Sequence, residues 1–178
     1  MHPERITIAG NLKYDLAIEV DEAKDKALAD QLGLTPKDTV LTFASTHPGE
    51  DEPLIGCYKT LKKDFPELKL IIAPRHPERA KDIAKILKTK GLSFEYRTQL
   101  VDEKPSQEIP IVILDTIGEL VRVYGLSDLA VIAGSFVSHG GQNPLEAISK
   151  RIPVIFGPHV FNFAEMCQLL LDHHAAIQ

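Results

Sequence analysis

Short β-branched runs alternate with amphipathic stretches along almost the whole chain. Residues 6–9, 40–44, 68–73, 93–97, 111–114, 129–133 and 154–156 read as strands, most of them apolar without a break. Ala80, Ile83, Ala84 and Leu87 stand at the i, i+3, i+4, i+7 spacing of one helix face. Residues 77–90 therefore read as a helix that starts near Pro77 and stops at Gly91. Leu54, Ile55, Tyr58, Leu61 and Phe65 form a stripe over a helix at 53–65. Further helices are expected over 21–32, closed by Gly33, and over 116–124, 144–149 and 161–171, and a last strand begins near Ala175. Unbroken apolar strands alternating with helices predict a parallel sheet covered on both faces. With right-handed crossovers this is a doubly wound, Rossmann-like α/β domain.

Composition narrows what such a domain does. The 178 residues suffice for one sizeable core, and 44% hydrophobic against 25% charged residues excludes a disordered chain. A net charge of −5 offers no general attraction for nucleic acid or an anionic membrane, although a local basic pocket is compatible with it. Cys57 and Cys167 form neither a disulfide framework nor a zinc knuckle, and a reducing compartment is the simplest setting. No apolar run approaches the roughly 18–20 residues of a membrane span, and Met1–Arg5 lacks a signal-peptide pattern.

In a parallel sheet, ligands bind beyond the carboxyl ends of the strands. Those ends lead into Ser45-Thr46-His47-Pro48-Gly49, Pro74-Arg75-His76-Pro77, Gly134-Ser135 with Ser138-His139-Gly140-Gly141 soon after, and Gly157-Pro158-His159. Four of the seven histidines and Arg75 thus gather on one edge, whereas the strand starts follow ordinary turns such as Thr35-Pro36-Lys37-Asp38. Polar strand-end loops are common, but four converging in this way mark the edge as the ligand site. Arg75 offers a fork for phosphate or carboxylate.

The most informative stretch is Gly140-Gly141-Gln142-Asn143-Pro144-Leu145-Glu146. Asn143 suits an N-cap, Pro144 the first helical position, and Glu146 follows three residues after the cap. Two glycines before a helix start let backbone N–H groups approach an anion such as phosphate. Glu146 serves either as a capping residue or as an acceptor for a ribose diol. The segment is neither a GxGxxG fingerprint nor a P-loop, which disfavours dinucleotides and P-loop triphosphate sites. Thr116-Ile117-Gly118-Glu119 has the spacing of a second capping box. Glu50-Asp51-Glu52 suits a helix dipole or the border of a cleft, and Glu78-Arg79 reads as a solvated first turn. Metal-binding motifs and a nucleophile elbow are absent, and no general base pairs with a nucleophile. Such a domain binds a nucleotide without completing the chemistry.

These motifs occur in a familiar order. Gly10-Asn11-Leu12-Lys13-Tyr14-Asp15 comes first, then Ala44–Glu50, Ala73–Arg79 and Asp115–Leu120. Ala133-Gly134-Ser135-Phe136-Val137, Gly140–Glu146 and Gly157-Pro158-His159 with Asn162-Phe163 follow. The series resembles the C-terminal half of the 3-deoxy-D-manno-octulosonic acid (Kdo) transferases of lipopolysaccharide synthesis, over almost the whole chain.

The resemblance implies an inverting GT-B glycosyltransferase with two Rossmann-like halves. The C-terminal half holds CMP-Kdo. An N-terminal half at the cytoplasmic face of the inner membrane binds the lipid A precursor and supplies the catalytic base. No cofactor or metal is implied. Residues 1–20 would be an interdomain segment with the first strand, and residues 21–178 the donor-binding domain, truncated at its C-terminus and inactive alone.

Carried over by position, Ser45, Thr46 and His47 line the cleft, and Arg75 and His76 approach the CMP phosphate or the sugar carboxylate. Gly118 and Glu119 lie on the cytosine and ribose side, and Gly134 and Ser135 approach the sugar-phosphate. Gly140, Gly141, Gln142 and Asn143 form an anion nest, and Glu146 takes the ribose hydroxyls. Two alternatives remain at this level: a GT-B domain like those of UDP-sugar epimerases, and a non-catalytic interaction module of the same fold.

Overall fold

The computed structural model describes residues 22–100 and 109–178. The strand expected at 6–9 and the Gly10–Asp15 motif lie outside them, as does most of the polar loop expected at 98–108. The described residues form a seven-stranded sheet: β1 Thr39–Thr46, β2 Leu68–Pro74, β3 Glu95–Tyr96, β4 Ile111–Ile113, β5 Leu129–Ile132, β6 Val154–Phe156 and β7 Ala176–Ile177. The helices are α1 Glu22–Gln31, α2 Asp51–Asp64, α3 Ala80–Thr89, α4 Leu120–Gly125, α5 Leu145–Ser149 and α6 Ala164–Asp172. Strand order is β3-β4-β2-β1-β5-β6-β7, and every neighbouring pair is parallel. This is the Rossmann-like doubly wound sheet that the strand and helix pattern predicts.

The unbroken apolar runs follow from burial on both faces. Successive side chains of a strand point to opposite faces. Leu41 and Phe43 of β1 pack with Leu54, Ile55 and Tyr58 of α2 and with Ile83 and Leu87 of α3. Val40 packs on the other face with Leu28 of α1, Leu32 just after it, and Val123 of α4. Ala44 joins a third cluster with Tyr124, Ala147 and, on α6, Cys167 and Leu170.

Several boundaries shift. Pro77–Arg79 is a separate 3-10 turn ahead of α3. The helix expected from Thr116 begins at Leu120, because Gly118 takes a φ of +89° and residues 116–119 form a loop. No capping box forms there: Thr116 Oγ1 donates to the Glu119 carboxylate instead of accepting a backbone N–H. The α2 stripe is buried only in its first half, with Leu61 40% and Phe65 49% exposed.

Strand order reverses at β1. The chain leaves β1 for β2 on one side and later returns as β5 on the other. The loops after β1 and β5 therefore diverge and open a crevice at the carboxyl edge.

Candidate functional site

At the end of β1 the pairing register shifts between Ala44 and Thr46, and Ser45 takes a φ of +57°. This bulge turns Thr46 inward. Its carbonyl accepts the Arg75 N–H at 3.0 Å and Arg79 Nη1–H at 2.6 Å. Thr46 is fully buried, and its hydroxyl has no hydrogen-bond partner among the described residues. It supports the loop from beneath, whereas the resemblance implies that it lines the cleft. Arg79 is no solvated residue either. Its Nη2 pairs with Asp51, mostly out of water, and joins the start of α2 to the turn after β2.

His47 forms the floor of the crevice. Its ring centroid lies 4.0 Å from that of His139 and 6.5 Å from that of His76, so three of the four histidines expected at this edge do converge. The fourth, His159, donates its backbone N–H to the Ser135 carbonyl at 2.9 Å. Gln142 Nε2 stands 3.3 Å from His47 Nε2. Burial first, and the neighbouring His139 second, lower the His47 pKa, with Glu50 opposing in part. The imidazole is thus neutral at neutral pH and accepts the Gln142 N–H.

Glu50 is 1% exposed and lies under the same floor. Its Oε2 accepts the His47 N–H at 2.9 Å and the Gly134 N–H at 2.8 Å, and its Oε1 accepts the Phe136 N–H at 3.0 Å. The loop after β5 is tied further by Ser135. That hydroxyl donates to the Ile132 carbonyl at 2.6 Å and accepts the Gly157 N–H at 2.7 Å. Gly134 and Ser135 were expected to meet the sugar-phosphate, but both are buried and these polar groups are engaged inside the protein. Gly134 adopts φ +72°, where an added Cβ would stand 3.1 Å from the His47 ring.

The next segment is carried by this loop. The Gly134 carbonyl accepts the Gly141 N–H at 2.8 Å, so that amide is also engaged internally. Gly140 takes φ +90°, and its carbonyl accepts the Asn162 N–H at 3.0 Å. Asn143 Oδ1 accepts the Leu145 N–H at 3.1 Å. The asparagine thus closes a turn before α5, which begins one residue later than its motif predicts. Glu146 is half-buried in the first turn of α5, and its charge adds to burial in raising the Tyr124 hydroxyl pKa.

Arg75 and His76 project from the end of β2 into solvent. The Arg75 guanidinium has no partner among the described residues, while His76 Nδ1 lies 3.9 Å from Glu78. Beyond β4, Glu119 is held by Arg97. Nε and Nη2 of Arg97 donate to its carboxylate at 2.9–3.2 Å, and Nη2 also reaches Gln31 Oε1 at 2.7 Å. Arg97 is buried, and its Nη1 has no partner among the described residues. Gly118 and Ile117 lie at the tip of this loop, Ile117 87% exposed.

The edge therefore brings together His47, His76, His139, Gln142 and the free Arg75 above an internally bonded base. It presents a cation and hydrogen-bonding rings to an anionic ligand. Burial pushes the Cys167 thiol up to about 11. Glu50, Arg79 and Arg97 carry structure that their sequence neighbourhoods do not announce. Only Glu50 had a signal, as part of an acidic cluster before a helix.

No family model matches the chain. The chain is 37% identical over 175 residues to the 3-deoxy-D-manno-octulosonic acid transferase of Haemophilus influenzae, covering 98% of the chain and 40% of that protein. It is 34% identical to the enzyme of the same name from Bordetella pertussis, covering 97% of the chain and again 40% of the relative. The chain is a homologue of the Kdo transferases. It spans about two fifths of the length of these curated relatives. The crystal structure of the C-terminal CMP-Kdo binding domain of WaaA from Acinetobacter baumannii superposes with a TM-score of 0.79 at 27% identity, covering 88% of this chain and 80% of that one. The sheet is that of a GT-B glycosyltransferase C-terminal domain.

Proposed function

We propose that this chain is the donor-binding part of a Kdo transferase and that CMP-Kdo occupies its carboxyl edge. The observation that carries this reading is the similarity, in sequence and fold together, to the CMP-Kdo binding domain of WaaA. The edge chemistry supports it, because the unpaired Arg75 guanidinium suits a phosphate or a sugar carboxylate. In the complete enzyme an acceptor hydroxyl would attack the anomeric carbon of Kdo as the bond to the CMP oxygen breaks. CMP would leave with the electron pair, and the acceptor proton would go to a base outside this chain. The acceptor would be a lipid A precursor, met by an N-terminal half at the cytoplasmic face of the inner membrane. No helix among the described residues is long and apolar enough to cross a membrane. The chemistry calls for no resident cofactor.

Titration of CMP and UDP into the chain, followed by amide NMR, tests the reading. CMP is expected to shift amides at Arg75, at 117–119 and at 140–146, and to bind more tightly than UDP. Arg75→Ala should weaken CMP by about 1–3 kcal/mol, the range for a charge-assisted hydrogen bond, with Tm unchanged because the side chain is exposed and has no partner among the described residues. Tighter binding of UDP, or no shifts at these amides, would count against CMP-Kdo as the donor.

A further inference from the structure

Glu50 is chemically prominent, yet the proposed function leaves it without a task. A buried ionised carboxylate is costly unless hydrogen bonds replace its water. Here three backbone amides do so: those of His47, Gly134 and Phe136. They come from the two loops that flank the strand-order reversal, 84 and 86 residues apart in the case of Gly134 and Phe136. In this fold, backbone amides at that place are where a ligand's anionic group is commonly received. The protein has filled the position with an anion of its own.

We propose that Glu50 is a positioning residue for the nucleotide site, its carboxylate acting as an internal stand-in for a bound anion. It holds the β5 loop in the form that carries Gly141, through the Gly134 carbonyl, and that supports the His47–Gln142 contact. One consequence concerns the ligand. The amides of Gly134 and Phe136 are closed to it, so the donor's anionic groups fall to side chains at the rim, Arg75 foremost. This inference rests on the CMP-Kdo reading.

The test is Glu50→Gln, which keeps the size but turns an NH2 group toward one or more of the three amides. The expected result is at least a tenfold loss of CMP affinity, with the Gly134 and Phe136 amide resonances moving upfield as they lose a charged acceptor. Ile83→Ala, in the core on the α3 side, serves as a control for stability alone. Its CMP affinity should stay within twofold of the unsubstituted chain even where its Tm falls as far. If the glutamine variant does not fold, Glu50→Asp, which keeps the charge and shortens the reach, should show at least a threefold loss. CMP binding by the variant within twofold of the unsubstituted chain would overturn the role of Glu50 and leave the donor reading standing. Failure of the unsubstituted chain to bind CMP would overturn both.

Discussion

Two carboxylates at the same edge are kept out of water by different means. In the crevice between β1 and β5, Glu50 is held by three backbone amides. On the flank beyond β4, Glu119 is held by one guanidinium, that of Arg97, with the Thr116 hydroxyl beside it. The difference bears on rigidity. Amides belong to the main chain, so a carboxylate that binds three of them fixes the course of two loops at once. A guanidinium sits at the end of a long side chain and joins side chains, here those of Glu119 and Gln31, and not stretches of main chain. The crevice is accordingly built as a unit through main-chain amides, while the loop carrying Ile117 and Gly118 is tied through side chains, Glu119 to Arg97 and Thr116, and Asp115 to Thr98, and exposes its tip. Within the proposed function, the crevice supplies a preformed floor and the flank supplies a separately anchored wall.

The flank gives the largest expected effect. Arg97→Ala leaves the mostly buried Glu119 carboxylate and Gln31 without their partner and should cost about 2–4 kcal/mol by urea denaturation. This is below the range for breaking a fully buried pair, because Glu119 retains 25% side-chain exposure. Replacing both groups together, Arg97→Met with Glu119→Leu, should recover at least half of that loss. A double variant as unstable as the single one would show that the ion pair holds more than its own two side chains, and the contrast with the crevice would fail.

In the crevice the corresponding probe is backbone contact. A Cβ on Gly157 would stand 2.4 Å from the Ser135 carbonyl oxygen, which cannot swing aside as a side chain can. Gly157→Ala should destabilise by about 1–3 kcal/mol, the usual range for overpacking, and it should broaden or shift the amides of the β5 loop. A thermal melt and an amide spectrum both unchanged from the parent would mean that this loop is softer than its hydrogen bonds indicate.

The smallest effect is that of pH. Burial and His139 lower the His47 pKa below its ordinary value of 6.5, so the unfolded chain binds the proton more readily than the folded one. The stability tied to neutral His47 is therefore fully present above pH 6.5 and is lost as pH falls through the lower folded value. Between pH 7.5 and 5.5 the loss is at most about 1.4 kcal/mol, the limit set by the unfolded value of 6.5. His47→Gln should flatten that part of the profile. Equal slopes for the two proteins would place the pH sensitivity elsewhere in the chain.

Much of the fold was legible in the chain. The runs at 68–73 and 129–133 became β2 and β5 with ends moved by a residue, because a strand buried on both faces must be apolar throughout. The edge was legible too, since a parallel sheet sends every strand end to one side, and His47, His76 and His139 do meet there. The roles within the edge were far less so. Ser135 and Thr46 stand at motif positions but point inward, and no local pattern separates a hydroxyl that faces a ligand from one that ties a loop. Arg97 closes a short, weak strand, and its partner Glu119 lies 22 residues away.

By itself, then, the sequence determined the class of fold, the edge on which polar residues collect and the kinship with the Kdo transferases. Each of these rests on order and periodicity along the chain. Tertiary structure alone decided which charges are buried and with what they pair. Glu50 finds Gly134 84 positions away because the chain returns as β5 beside β1, and Arg79 finds Asp51 28 positions away because β2 lies on the other side of β1. A buried charge needs partners wherever the chain brings them, and that placement is a property of packing, not of neighbouring residues.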